Sequence, residues 1–166
     1  MTMLKKEISS LKIFENFSPS QLIEIEPLIT LNKFASGESV FNQGDPAKYI
    51  CVILDGQVDI RFKPDDGELI SVARLSREGV FGWSAAFGSG TYTSGAIAIT
   101  DVKLLCVSGE NLKKLNKDNP KTGKLMLDQL AKIVSKRLDR TNAQGRDQVA
   151  AMLEHGLKNG IKPLGG

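Results

Sequence analysis

Among its 166 residues the chain has one histidine, one tryptophan, two tyrosines and two cysteines. Single copies of this kind exclude much chemistry. A histidine-based triad or a zinc site would have to be assembled from His155, near the C-terminal end, and two distant cysteines, so an enzyme and a metal protein are both disfavoured. Cys51 and Cys106 each sit inside an apolar run, where buried free thiols are commoner than bridges, which points to a reducing, cytoplasmic setting. No run approaches the ~18 apolar residues of a membrane span, and residues 1–6 lead into Glu7, Ser9 and Ser10 rather than the apolar core of a signal peptide. The net charge is only +3, with 41% hydrophobic and 25% charged residues. That balance is ordinary for one globular domain and demands no polyanionic partner. The last scarcity is local: residues 79–94 contain no charged side chain beyond the turn that precedes them, although glycines 79, 82, 88 and 90 and a run of hydroxyls suit them to presenting backbone N–H groups to an anion.

The pattern around that segment changes period twice. Leu4, Ile8 and Leu11 recur at helical spacing, and Ser18-Pro19 supplies an N-cap with proline at the first helical position. The second helix is expected to end near Pro27, because proline disfavours the α region for the residue before it. From 30 to 107, short runs rich in β-branched and aromatic residues alternate with turn chemistry at Ser36-Gly37, Gln43-Gly44-Asp45-Pro46, Asp55-Gly56 and Pro64-Asp65-Asp66-Gly67. Strands are expected near 30–34, 38–42, 48–54, 57–62, 68–75, 93–99 and 102–107. Alternation of Val58, Ile60 and Phe62 with Asp59, Arg61 and Lys63 predicts one buried and one solvated face. Such strands must close into a barrel or pack as a jelly roll.

After Ser108 the chain is helical again. Glu110 begins a short amphipathic stretch and Pro120 starts a longer helix, along which Leu127, Ala131, Val134, Leu138 and Thr141 fall at alternating four-and-three spacing. This seam predicts a homodimer paired through the helix. It weakens at Gly145, and residues 158–166 read as a frayed tail. The basic cluster Lys132, Lys136, Arg137, Arg140 and Arg146 is interrupted by Asp128, Asp139 and Asp147, so it reads as a solvated helix flank rather than a nucleic-acid surface. Asp65-Asp66 and Glu24/Glu26 are expected in turns or on exposed helix faces.

Taken in order, Leu11-Lys12-Ile13-Phe14-Glu15-Asn16-Phe17-Ser18-Pro19, then Phe34-Ala35-Ser36-Gly37-Glu38-Ser39-Val40-Phe41-Asn42-Gln43-Gly44-Asp45-Pro46-Ala47, Val52-Ile53-Leu54-Asp55-Gly56-Gln57-Val58 and Val80-Phe81-Gly82 resemble the cyclic-nucleotide-binding domain, the sensor of catabolite-activator-type regulators and of cyclic-nucleotide-gated kinases and channels. The resemblance covers roughly residues 8–140. It implies a mainly β fold, an eight-stranded β-roll or jelly roll with N-terminal helices and a long C-terminal helix. It divides the chain into N-terminal helices (1–29), a ligand-sensor roll (30–108), a hinge and dimerisation helix (109–155) and a flexible tail (156–166). It also implies a ligand cassette of Phe81, Gly82, Trp83, Ser84, Ala85, Tyr92, Thr93 and Ser94. In the family a glutamate after Phe-Gly holds a ribose hydroxyl, and an arginine followed by a hydroxyl residue holds the cyclic phosphate. Here those positions carry Trp83, Tyr92 and Thr93, and the glycine ahead of the cassette is displaced to Gly79.

The resemblance therefore implies a small-molecule sensor, with a cyclic nucleotide or another small anion as candidate ligand and no cofactor or metal fixed by the sequence. Trp83 either stacks on a ligand ring or fills the ribose space, the second being favoured. Losing a charge-assisted phosphate contact is worth ~1.5–3 kcal/mol, so two lost anchors predict weak cyclic-nucleotide binding. The family often carries a helix-turn-helix after its long helix; residues 145–166 are too short and glycine-rich for one, so no direct DNA contact is expected. The expected output is a downstream protein partner. The rival readings are a degenerate roll acting as an assembly module, and a true cyclic AMP or GMP binder that relies on backbone and hydroxyl contacts.

Overall fold

The structure, a computed structural model, describes residues 3–65, 67–82 and 90–140, with side chains described from 6 to 133. Helix α1 (Met3–Ser9) and a 3-10 turn (Lys12–Phe14) lead to α2 (Pro19–Ile25). Ser18 caps α2 as expected: its hydroxyl accepts from the Gln21 N–H while the Gln21 side chain accepts from the Ser18 N–H, a reciprocal box. The helix ends near Pro27, but not for the reason anticipated. Glu26 keeps α-helical angles, φ −52° and ψ −47°, and Glu26–Leu28 tightens into a 3-10 turn that carries Pro27 near its start. The steric bias against helical geometry before proline is overcome because the ring occupies a helix-start position that needs no N–H donor.

Eight strands follow: β1 (Ile29–Phe34), β2 (Ser39–Phe41), β3 (Tyr49–Asp55), β4 (Val58–Phe62), β5 (Ile70–Leu75), β6 (Val80–Phe81), β7 (Gly95–Ala98) and β8 (Val102–Ser108). They form two antiparallel four-stranded sheets, ordered β1-β8-β3-β6 and β2-β7-β4-β5, which is the two-sheet roll expected. Seven strands lie where the β-rich runs between turn signals place them; β6, with two residues, is too short to show such a run. Helices α3 (Gly109–Asp118) and α4 (Pro120–Arg140) close the described chain.

The core runs from the roll interior to the helices. Ile53, Val58 and Leu104 are fully buried between the sheets, while Phe14, Ile50, Leu105, Met126 and Leu130 join the outer face of the first sheet to α4. Two features depart from the sequence reading and a third has no counterpart in it. Asp59, assigned to the solvated face, is 1% exposed. It is covered by Arg61 (Nε to Oδ2, 2.8 Å) and Arg74 (Nε to Oδ1, 3.6 Å), and the Ser71 hydroxyl donates to it at 2.7 Å. A bulge at Ile60/Arg61 in the β4–β5 ladder shifts the register between Asp59 and Ser71, so these side chains converge. Glu24, assigned to an exposed helix face, accepts a 2.7 Å bond from the buried Thr122 hydroxyl and so ties α2 to the start of α4. Finally, Gly123 lies so close to α3 that a Cβ there would meet the Asn116 Cα at 2.6 Å.

On α4 the residues that enter the core are Thr122, Met126, Gln129 and Leu130. The seam residues lie elsewhere: Leu127 is half-buried and Ala131 exposed. The side chains of Val134 and Leu138, and Thr141, lie outside what is described. No helix among the described residues is long and apolar enough to cross a membrane.

Candidate functional site

The cassette begins where β6 stops. Gly82 has φ +78°, and a Cβ on it would meet the Tyr49 carbonyl oxygen at 2.7 Å and the Phe41 ring at 3.3 Å, so this position accepts only glycine. Phe81, 1% exposed, packs against Phe41 with ring centroids 5.8 Å apart. The turn leading in is Ser76 to Gly79, with the Gly79 N–H bonded to the Ser76 carbonyl at 2.8 Å. Its left-handed residue is Glu78 at φ +72°, the only non-glycine with positive φ among the described residues. Gly79 instead occupies a tight position, where a Cβ would lie 2.9 Å from Leu75 Cβ and from the Ser76 oxygen. The displaced glycine thus leaves a strained residue at the bend, anchored by the Lys12 N–H, which donates to the Glu78 carboxylate. Arg77 adds a bond to the Leu54 carbonyl (2.7 Å) and one to the Ser10 hydroxyl (3.1 Å), which links the turn to the N-terminal helices.

At its far end the cassette is laddered to the loop after β2. The Gly44 N–H donates to the Tyr92 carbonyl (2.8 Å), the Tyr92 N–H to the Asp45 carbonyl (2.9 Å) and the Ala47 N–H to the Gly90 carbonyl (3.0 Å). This ladder fixes the direction of Tyr92. Its ring stacks on Phe41, centroids 3.6 Å apart and planes 8° from parallel, and it is 5% exposed. Its hydroxyl accepts from the Tyr49 N–H (3.0 Å) and donates to the Tyr49 carbonyl (2.7 Å).

Strand geometry explains that bracket. On β3 the Lys48 carbonyl accepts from the Gly109 N–H across the β3–β8 ladder. Hydrogen bonding alternates sides along a strand, so Tyr49 turns its own N–H and C=O the other way, toward the edge where β6 has ended. The phenol takes the place of the missing strand. Burial pushes the Tyr92 hydroxyl up to about 12, partly offset by the bond with Tyr49. At neutral pH it is a neutral group with both capacities engaged.

Thr93 differs from its neighbour. Its Oγ1 is buried and has no hydrogen-bond partner among the described residues. Ser94 is 4% exposed and starts the approach to β7. The structure thus brings Phe81, Gly82, Tyr92, Thr93 and Ser94 to one end of the roll; Trp83, Ser84 and Ala85 lie outside the described residues. Two contributors escaped the sequence reading. Phe41 appeared only as part of a turn-and-strand match, and the Tyr49 backbone carries no sequence signal at all.

The family model described as "Cyclic nucleotide-binding domain" matches residues 31–119, just over half of the chain. The chain belongs to the cyclic nucleotide-binding domain family. Among curated proteins it is similar to the CRP-like cAMP-activated global transcriptional regulator of Mycobacterium tuberculosis, 28% identical over 130 residues that cover 78% of this chain and 56% of the relative. It is also similar to the global nitrogen regulator of Synechococcus elongatus, 30% identical over 132 residues covering 78% and 57%. The chain therefore spans little more than half the length of these relatives. Among solved structures, a cyclic nucleotide-binding domain from Methylobacillus flagellatus superposes with a TM-score of 0.70 at 18% identity, covering 91% of this chain and 81% of that one. That likeness establishes the shared roll.

Proposed function

We propose that this chain is a regulatory sensor domain in which a small anionic or aromatic ligand, held by residues 81–94, alters how the C-terminal helix pairs with its copy in a second chain. The single observation that carries this reading is the Thr93 hydroxyl. It lies at the position to which the resemblance gives a ligand-holding hydroxyl, buried and without a partner among the described residues. A buried donor left unmade costs ~1–3 kcal/mol, and a ligand oxygen is the natural partner. The division into a roll (30–108) and a hinge with dimerisation helix (109–155) belongs to the same proposal. Ala131, which is exposed, and Leu127, which is only half-buried, support it by leaving apolar surface that a second helix could cover. The close α3–α4 contact at Gly123 supports a hinge that moves as a unit.

Transmission requires that the ligand bind two helix arrangements with different affinity. Trp83 is the only tryptophan, so its emission reports this site. Titration with a panel of nucleotides and metabolites is expected to yield a ligand that shifts Trp83 emission and raises the melting temperature together. Crosslinking from Val134 and Leu138 is then expected to differ with and without it; an identical pattern would exclude the relay.

A second reading is favoured by Tyr92. Its hydroxyl is fully engaged with Tyr49 and its ring covers Phe41, as befits a sealed roll serving as an assembly module. A panel that leaves both emission and melting temperature unmoved supports that reading.

A further inference from the structure

The roll contains one pair of nucleophilic side chains that the proposed sensor does not use. Cys51 and Cys106 are the chain's only cysteines, both buried and both free. They stand opposite one another in the β3–β8 register, with Sγ atoms 3.1 Å apart. The bond from Gly109 to Lys48 sets the phase of that ladder. Counting from it, Tyr49–Ser108 and Cys51–Cys106 are non-hydrogen-bonded pairs, the more closely spaced kind, with Cα atoms ~4.5 Å apart. A disulfide spans Cα separations of ~4.4–6.8 Å, and its S–S bond is ~2.05 Å. Closing the pair therefore requires an approach of about one ångström and no change of register.

The pair also lies directly beneath the cassette. Cys51 is opposite Phe81, the residue before Gly82. Tyr49, whose backbone holds the Tyr92 hydroxyl, is two residues earlier on the same strand, and both sulfurs are near enough for their charge to raise that hydroxyl.

We propose that Cys51 and Cys106 form a redox-responsive dithiol, converted by a hydroperoxide into an intramolecular disulfide that ties β3 to β8 under the ligand cassette. Cys106 is the less buried of the two, 5% exposed against 2%, so it meets the peroxide first and is the first nucleophile. With hydrogen peroxide, the Cys106 thiolate attacks one oxygen and the O–O bond breaks. Hydroxide leaves with the proton that Cys106 released, as water, and Cys106 becomes a sulfenic acid. The Cys51 sulfur then attacks the Cys106 sulfur. An S–S bond forms, the S–O bond breaks, and the second hydroxide departs as water with the Cys51 proton. Two thiols lose two electrons in total, and one peroxide becomes two waters.

The test uses the full chain and no ligand, so its outcome is independent of the sensor reading. Reduced protein is exposed to hydrogen peroxide, quenched, denatured in an alkylating reagent and weighed intact. The expected product is a monomeric chain lighter by two hydrogens, with loss of both alkylatable thiols and recovery of both after dithiothreitol. Two alkylated cysteines at doses that oxidise an exposed thiol would overturn the proposal, as would sulfinic acids on both residues or a disulfide between chains. Cys51→Ser is expected to stop at an oxidised Cys106 without a bridge. Should that variant fold poorly, the wild-type mass still decides. Trp83 emission supplies the link to the cassette: it is expected to shift on oxidation and return on reduction, and a complete disulfide with unmoved emission would overturn that link.

Discussion

The turns at 36–57 and the segment at 78–94 start from the same vocabulary of glycine and small polar residues but follow the family pattern to different degrees. In the first, every positive φ falls on glycine: Gly37 at +89°, Gly44 at +89° and Gly56 at +95°. In the second, a non-glycine, Glu78, occupies the left-handed bend, Trp83 and Tyr92 stand where the resemblance puts ligand-holding charges, and of the described glycines Gly82 and Gly90 carry positive φ. The contrast separates two kinds of constraint. The frame is fixed by contacts the backbone makes with itself, which no ligand can substitute. The anchors that the resemblance implies would face a ligand, so they can be exchanged without losing the roll, provided the replacement satisfies what it touches. Tyr92 does this by completing the β3 edge where β6 ends.

The contrast can be pressed hardest at Gly56. A Cβ there would lie 2.3 Å from the Asp101 carbonyl oxygen, in addition to the φ penalty. Gly56→Ala is expected to cost roughly 3 kcal/mol or more, read as a fall in the urea midpoint with the slope unchanged. A shift much smaller than that would mean the frame is not set by this approach. The next effect is at Tyr92. Tyr92→Phe keeps the stack on Phe41 but leaves the Tyr49 N–H and C=O unpaired, a loss of about 1–3 kcal/mol.

The pH dependence of that loss is specific. The phenol ionises near 10 when unfolded and near 12 when folded. Its contribution is full below pH 10 and declines as pH rises toward 12, because the unfolded state releases a proton that the native state keeps. The wild-type advantage over Tyr92→Phe should therefore be flat up to pH 10 and narrow above it by something on the order of 2 kcal/mol. An advantage that stays constant to pH 12 would contradict the buried bracket.

The smallest effect is expected at Glu78. Glu78→Gly removes the strain of φ +72° but also the carboxylate that holds the Lys12 N–H. These oppose one another, and the net change should stay within about 1 kcal/mol. A large loss would show that the carboxylate contact to the N-terminal helices outweighs the backbone strain.

What could be read in advance follows from range. The Ser18 cap, the glycine turns, the seven longer strands and the starts of α3 and α4 are set by chemistry within a few residues, and they are where the pattern places them. The misses are long-range. Asp59 is buried because Arg74 reaches it from the next strand, and Glu24 is held by Thr122 98 residues away. Tyr92 is satisfied by a backbone 43 residues away, which no residue type announces. That it stands at the position where the family has a ligand-holding arginine is legible only through the resemblance; that its hydroxyl is occupied required the fold.

The central claim is that the position to which the resemblance gives a phosphate-holding arginine carries a neutral phenol locked onto β3. It is tested most directly by the affinity of the full chain for cyclic AMP and cyclic GMP, measured by titration calorimetry with Trp83 emission in parallel. The account predicts binding a hundredfold or more weaker than an arginine-anchored site would give, since each missing charged contact is worth ~1.5–3 kcal/mol. Binding at micromolar concentrations or tighter would contradict it.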